Sequence, residues 1–251
     1  MPTASENVLG NILYVAARER VAMYTRQIVE GLGTGVRGGP FEGTVLPEST
    51  SWGDGDLAPK ILGAYEAELH AHIAKAVARK PDVVVNVGCA EGYYAIGLAR
   101  LLPAATVYAY DLSEDAQRVC AASAAENGVG DRVMVKGACT AEELVRITKD
   151  ARHTLIVMDC EGAERELLSD AAVARFGRCD VIVECHDFVD PTITPTIMMA
   201  LSATHRVENV TEVAKDGANY PVLRSLNSLD RALIVNEFRP TIMNWLVGWA
   251  K

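Results

Sequence analysis

The chain has 251 residues, 49% of them hydrophobic, which suits one main α/β domain with an N-terminal extension. Lys and Arg number 24 against 33 Asp and Glu, and the net charge of −9 excludes the basic surface that nucleic acid requires. No apolar stretch approaches the ~18 residues of a membrane span, and the six cysteines, at 89, 120, 139, 160, 179 and 185, form no C-x-x-C pair, so they read as reduced, mostly buried thiols of a cytoplasmic protein without a signal peptide.

From Glu6 to about Leu32, apolar residues at 9, 12, 13, 16, 24 and 28 recur at helical spacing, with Arg18, Glu19, Arg20 and Arg26 between them. Gly31 to Gly43 is a glycine-rich loop. A short strand or hairpin is expected near 41–46, then a mobile entry loop holding Trp52-Gly53-Asp54-Gly55-Asp56, then a helix from about Pro59 to Arg79. After Pro81 the texture alternates. Strands are predicted at 82–87, 105–110, 132–136, 154–159, 180–185, 205–210 and 231–236, with helices near 92–102, 114–127, 140–148, 162–175 and 192–202. Such alternation implies parallel strands joined by right-handed crossovers, the last strand being an antiparallel edge. Thr241 to Lys251, with Trp245 and Trp249, reads as a segment docked on the core, its aromatics alternatively meeting a partner subunit or the substrate pocket.

In an open α/β sheet the ligand sits beyond the carboxyl ends of the strands. The first such end is Val83-Val84-Val85-Asn86-Val87-Gly88-Cys89-Ala90-Glu91-Gly92, a strand breaking on two glycines before a helix. A dinucleotide fingerprint needs a glycine where this chain has Ala90, so the turn offers no pyrophosphate seat and points to a nucleoside without phosphate. Asp111 lies about 20 residues beyond Gly88, the place of an acid that holds ribose hydroxyls; alternatively it caps the helix starting at Ser113. Gly137-Ala138-Cys139 offers backbone N–H groups to an adenine edge, or is an ordinary loop with Thr140 as N-cap.

Together these strand ends resemble the class I S-adenosylmethionine-dependent methyltransferases. Asp159-Cys160-Glu161-Gly162-Ala163-Glu164 is similar to the D-x-E-G-x-E signature of the FkbM-type methyltransferases, and Glu184-Cys185-His186 to the E-x-H segment that follows it there. Asn86 to Tyr94 resembles that family's D-x-G-x-x-x-G-Y-Y opening, with Asn86 in place of the usual acid; Gly63-x-Tyr65-Glu66-x-Glu68-Leu69 and Asn127-Gly128-Val129 also fit, over about residues 60 to 237. The resemblance implies a Rossmann-like, mixed seven-stranded sheet with helices on both faces. It also implies S-adenosylmethionine held by Asn86, Gly88, Cys89, Glu91, Asp111, Leu112, Cys139 and Asp159, and a small-molecule acceptor such as a sugar, polyketide or peptide hydroxyl. Residues 1–60 are then a helical cap that shapes the acceptor pocket, and residues 61–251 the methyltransferase domain.

Methyl transfer needs the acceptor aligned and its proton removed. His186 is the natural base, with Asp159 or Glu184 orienting it or holding its charge. The same acids, Asp159 with Glu184 or Asp187, could instead hold Mg²⁺, as in catechol-type methyltransferases. Glu164 and Glu166 read as surface acids near Arg165, and Tyr65 as a cofactor lid or a packed helix residue. His70 and His72 point to different helix faces, and Cys120 and Cys179 read as core thiols. A homodimer is compatible with the chain. A nicotinamide-dependent oxidoreductase and a cofactor-binding module without activity are the competing classes.

Overall fold

The computed structural model describes residues 4–48 and 56–251, so of the acidic glycine loop only Asp56 is seen. Helix α1 (Ala4–Leu32) is followed by α2 (Leu57–Leu62) and α3 (His70–Ala78). The alternating body then runs β1 (Val83–Val87), α4 (Tyr93–Leu101), β2 (Thr106–Tyr110), α5 (Glu114–Glu126), β3 (Val133–Lys136), α6 (Ala141–Asp150) and β4 (Thr154–Met158). After β4 come α7 (Glu164–Leu167), α8 (Asp170–Val173), β5 (Cys179–Cys185), α9 (Ile193–Ser202), β6 (His205–Thr211), α10 (Ser228–Ile234) and β7 (Asn244–Ala250).

The seven strands form one sheet in the order β3-β2-β1-β4-β5-β7-β6. β1 to β5 pair in parallel, whereas β7 runs antiparallel to both β5 and β6. Strand alternation sorts the side chains into two apolar layers. Val84, Val107, Leu155 and Ile182 face α2 to α5, while Val85, Val87, Ile156, Met158 and Val183 face α6 to α9. β4 and β5 are buried along their whole length, and their middles, Leu155 to Met158 and Val181 to Val183, read as apolar runs. Asn86 shares the face of Val84, so its amide points into the α4 layer and donates to the Val157 carbonyl at 3.4 Å.

Residues 231–236 are not a strand: Asn227 accepts from the Asp230 N–H, and a helix follows over Ser228–Ile234. The seventh strand is the C-terminal Asn244–Ala250, which inserts between β5 and β6 instead of docking on the outside. A short apolar run such as Ala232 to Val235 suits helix or strand equally, and here the cap decides. The helix expected from Pro59 to Arg79 is broken at Gly63, whose φ of 71° ends α2; a Cβ there would stand 2.3 Å from the Gly38 backbone. At 41–46 the chain makes one antiparallel bridge, Gly35 with Val45, and no hairpin.

α1 packs on α2 and α10 through Val21 and Ile28, and Arg20 and Tyr24 both bond the buried Asp230 of α10. The sheet is bound most tightly where β1 meets β4. The Asp159 N–H donates to the Val87 carbonyl at 2.9 Å, and a Cβ on Gly88 would stand 1.5 Å from the Asp159 carbonyl oxygen. Gly88→Ala should therefore lower unfolding stability by more than ~4 kcal/mol or prevent folding. Gly128→Ala, also at positive φ but with open space around it, should cost only about 1 kcal/mol. Chemical denaturation of the two variants checks the contrast.

Candidate active site

At the carboxyl ends of the parallel strands lies a cavity of about 560 Å³. Its floor is the β1 turn. Gly88 and Gly92 have φ of 77° and 97°, and Ala90 takes the left-handed conformation too, at 46°. The turn is pinned from the next strand. The Asp111 carboxylate accepts from the Ala90 N–H on Oδ2 and from the Ser113 N–H on Oδ1, each at 2.9 Å. Ser113, not Asp111, caps α5, by accepting from the Ala116 N–H. Asp111 thus borders the cavity with both oxygens fixed by backbone and each keeping a free lone pair for a vicinal diol.

Gly88, Asp111, Leu112, Cys139 and Asp159 all border the cavity, as does Gly137. Thr140 also acts as the N-cap of α6. Asn86, Cys89 and Glu91 stand behind the wall. Asn86 is buried with its Oδ1 unbonded, Cys89 is buried beside Cys120, and Glu91 pairs with Lys60 at 2.5 Å. Burial alone would favour a neutral Lys60 amine, but Asp56 and Glu91 together hold it charged. Its ammonium also sits 4.7 Å from the ring centre of Tyr65, which lines the cavity and packs edge-on against Tyr93.

Across the floor, the acids of the β4 turn converge on one imidazole. His186, at the end of β5, places Nε2 3.5 Å from Asp159 Oδ1 and 3.4 Å from Glu161 Oε2, and Nδ1 2.8 Å from Glu164 Oε1. Glu164 is not the surface acid that its helical position suggests. It is fully buried, and the same Oε1 accepts from the N–H groups of Cys160 and Gly162 at 3.2 Å. Being acceptor-only, it fixes the proton on Nδ1 and aims Nε2 at the cavity. Burial pushes Glu164 up and His186 down, yet their hydrogen bond wins on both sides: the carboxyl is held below its ordinary range and the imidazole above its own. Asp159 is pushed up to about 7, first by burial and then by the charge of Glu66. Its Oδ1 has no hydrogen-bond partner. Asp187 faces elsewhere, accepting from Thr194 N–H and hydroxyl, and Glu166 is exposed.

Glu184 is held by a cation that the sequence reading missed. Arg239 pairs with Glu184, with Glu66 at 3.0 Å and with Glu237 at 2.9 Å, and lies 4.7 Å from the centre of the Trp245 ring. Burial first, then the charge of Asp159, raises Glu184 well above the ordinary carboxyl value despite Arg239. The segment Glu237 to Pro240 lines the cavity opposite His186, joined by Met243 and by Tyr14 and Arg18 of α1. Tyr14 packs edge-on to Phe238 at 5.9 Å, with the Arg18 guanidinium 5.3 Å above the same ring. A lone lysine inside the apolar stretch Leu57 to Leu62 could have flagged Lys60; nothing local marks Arg239, whose partners lie 55 and 173 residues away.

No protein-family model matches the chain, and no curated protein sequence matches it. Solved structures do. The precorrin-8w decarboxylase of Methanobacterium thermoautotrophicum superposes with a TM-score of 0.50 at 18% identity, covering 82% of this chain and 94% of that one. The O-methyltransferase of Bacillus cereus, solved with S-adenosylhomocysteine, gives 0.47 at 14% identity over 94% and 91% of the two chains. The O-methyltransferase TomG of Streptomyces achromogenes, solved with S-adenosylmethionine, gives 0.48 at 15% identity over 71% and 77%. With one reversed strand inserted between β5 and β6, the chain has the Rossmann-like class I methyltransferase fold.

The Glu164 to His186 bond has a signature that can be followed by pH. In Glu164→Gln the burial of His186 loses the hydrogen-bonded carboxylate that opposes it most, so its titration midpoint, read from the imidazole proton resonances, should fall below that of the wild type, with Asp159 and Glu161 still raising it. The pair's contribution to stability is present in full above the ordinary carboxyl value of 4.5 and below 6.5. It is lost as pH falls through the lowered Glu164 value or rises through the raised His186 value. The gap in denaturation midpoint between wild type and Glu164→Gln should therefore be widest between those limits and narrow on either side.

Proposed function

We propose that the protein is an S-adenosylmethionine-dependent methyltransferase of the FkbM type that methylates a hydroxyl of a small molecule. One observation carries this: every acid of the Asp159-x-Glu161-Gly162-x-Glu164 motif, met in sequence as a family resemblance, has an oxygen within 3.5 Å of a ring nitrogen of His186, the histidine of the second motif. The cofactor fits the residues present. Asp111 offers two lone pairs to a ribose diol, and Asp159 Oδ1, which has no hydrogen-bond partner, offers an acceptor to an ammonium.

When bound, the sulfonium supplies an electrophilic methyl group. The chain's own residues do the rest. With Nδ1–H held by Glu164, neutral His186 presents the Nε2 lone pair to an acceptor hydroxyl and takes its proton as the oxygen bonds to the methyl carbon and the carbon–sulfur bond breaks. Asp159 and Glu161 beside Nε2 stabilise the imidazolium so formed, and Arg239 holds the Glu184 and Glu66 side chains in place. Tyr14, Phe188 and Phe238 provide the apolar wall for the acceptor body.

A second reading rests on the donor atoms of Asp159, Glu184 and His186, which lie within 4.8 Å of one another. A divalent cation there would take Nε2, with Nδ1 already on Glu164 as metal-bound histidines usually require, and would acidify the acceptor hydroxyl. One imidazole with two carboxylates suits Mn²⁺, Fe²⁺ or Zn²⁺ better than Mg²⁺, and Arg239 would have to release Glu184.

Incubation with labelled S-adenosylmethionine and a panel of hydroxylated acceptors tests both readings. His186→Ala should lose about 10²- to 10⁴-fold in turnover while still being stabilised thermally by S-adenosylhomocysteine. Unchanged turnover would reject the base, and loss of transfer on chelation, restored by one metal, would select the cation.

A further inference from the structure

Helix α1 changes character halfway along. Val21 and Ile28, seven residues apart, are 1% and 5% exposed and mark the face turned to the body; one repeat earlier on that face stands Tyr14, on Phe238. The opposite stripe begins Val8, Leu9, Ile12, Ala16 and continues Glu19, Arg26, Gln27. Its second half is an ordinary solvated helix face. The first half of the helix is apolar and bare away from the body: Val8, Leu9, Ile12, Leu13 and Val15 are each between 57% and 61% exposed, and Asn7 to Ala17 contains no charge. Five side chains of this size present on the order of 500 Å² of apolar surface, toward the upper end of what a monomer leaves uncovered and a large part of the ~800 Å² per partner of a specific complex.

We infer that residues 8–16 of α1 pack against the same segment of a second copy of this chain, crossing antiparallel about a two-fold axis near Ile12. A lipid surface does not suit the segment, because helices that lie on membranes carry Lys or Arg opposite their apolar face, and this tract carries none within a chain of net charge −9. No described helix is long and apolar enough to cross a membrane. A charged partner would find nothing to pair with. The surface of matching chemistry is the tract itself, since the other exposed large hydrophobics, such as Leu112, Met199, Leu229 and Ile242, lie singly or in pairs on separate elements. Antiparallel crossing sets the helix dipoles in favourable opposition and keeps both charged halves outside the contact. Gly10, around which a Cβ would meet nothing in its own chain, permits the close approach of a partner backbone and explains a glycine where alanine would hold the helix better by about 1 kcal/mol. Tyr14 lies on the cavity side of the same turns, so pairing also braces that wall.

Sedimentation equilibrium over roughly a hundredfold range of concentration should give twice the 27.0 kDa chain mass for the wild type. Ile12→Glu with Val15→Glu should halve the mass without moving the melting temperature of the dilute protein, while Arg26→Glu should stay dimeric. Should the double variant misfold, Ile12→Cys in the otherwise intact chain decides: mild oxidation should give a disulfide-linked dimer if the axis passes there. A wild type that sediments as 27.0 kDa throughout, floats as a monomer with neutral phosphatidylcholine vesicles, or stays dimeric in the double variant would overturn the inference.

Discussion

The site depends on a contact between two backbones. The Gly88 Cα lies so near the carbonyl oxygen of Asp159 that no side chain fits between them, and the Asp159 N–H closes the same contact onto Val87. This joins the β1 turn, which forms the cavity floor, to the β4 turn, which holds the acids around His186. Strain gathers in the same place. Of the five described non-glycine residues with positive φ, Ala90, Glu161 and Phe238 line the cavity and Glu66 holds Arg239. Such conformations persist where surrounding structure over-determines them, and here the hydrogen bonds of Asp111, Glu164 and Arg239 do so.

Electrostatics give this frame its chemical character. Glu66, Glu68, Glu184 and Glu237 are buried around two cations, Arg239 and Lys215. With Asp159 nearby, negative charge outnumbers positive, and burial lifts Asp159 and Glu184 toward their protonated forms. The His186 ring is committed on one side to Glu164. Such a site can accept a proton at Nε2 without desolvating a new charge, because carboxylates already face that nitrogen.

Legibility in the sequence followed burial. β1, β2, β4 and β5 are legible because their middles are runs of mostly buried apolar residues, each leading into a turn that borders the cavity. The turn residues Gly88, Asp111 and Asp159 were readable for the same reason. Residues 231–236 were misread because a short apolar run has no period of its own, and β7 because Gly248 and the tryptophans obscure its alternation. Glu164 was taken for a surface acid since helical spacing says nothing of the imidazole arriving from β5. Arg239 lies on a loop, and besides its neighbour Glu237 its carboxylate partners, Glu184 and Glu66, come from distant segments. Asn86, which stands where the resembled family has an acid, lies behind the wall with its amide in the α4 layer.

Calorimetric titration of S-adenosylhomocysteine into wild type and Asp111→Ala bears most directly on whether the glycine turn and the β4 acids form one cofactor and transfer site. Wild type should bind one molecule per chain, and the variant, without the acid that pins Ala90 and faces the diol, should bind about 10- to 100-fold more weakly. No heat of binding in the wild type at millimolar ligand, or equal affinity in the two proteins, would contradict that account.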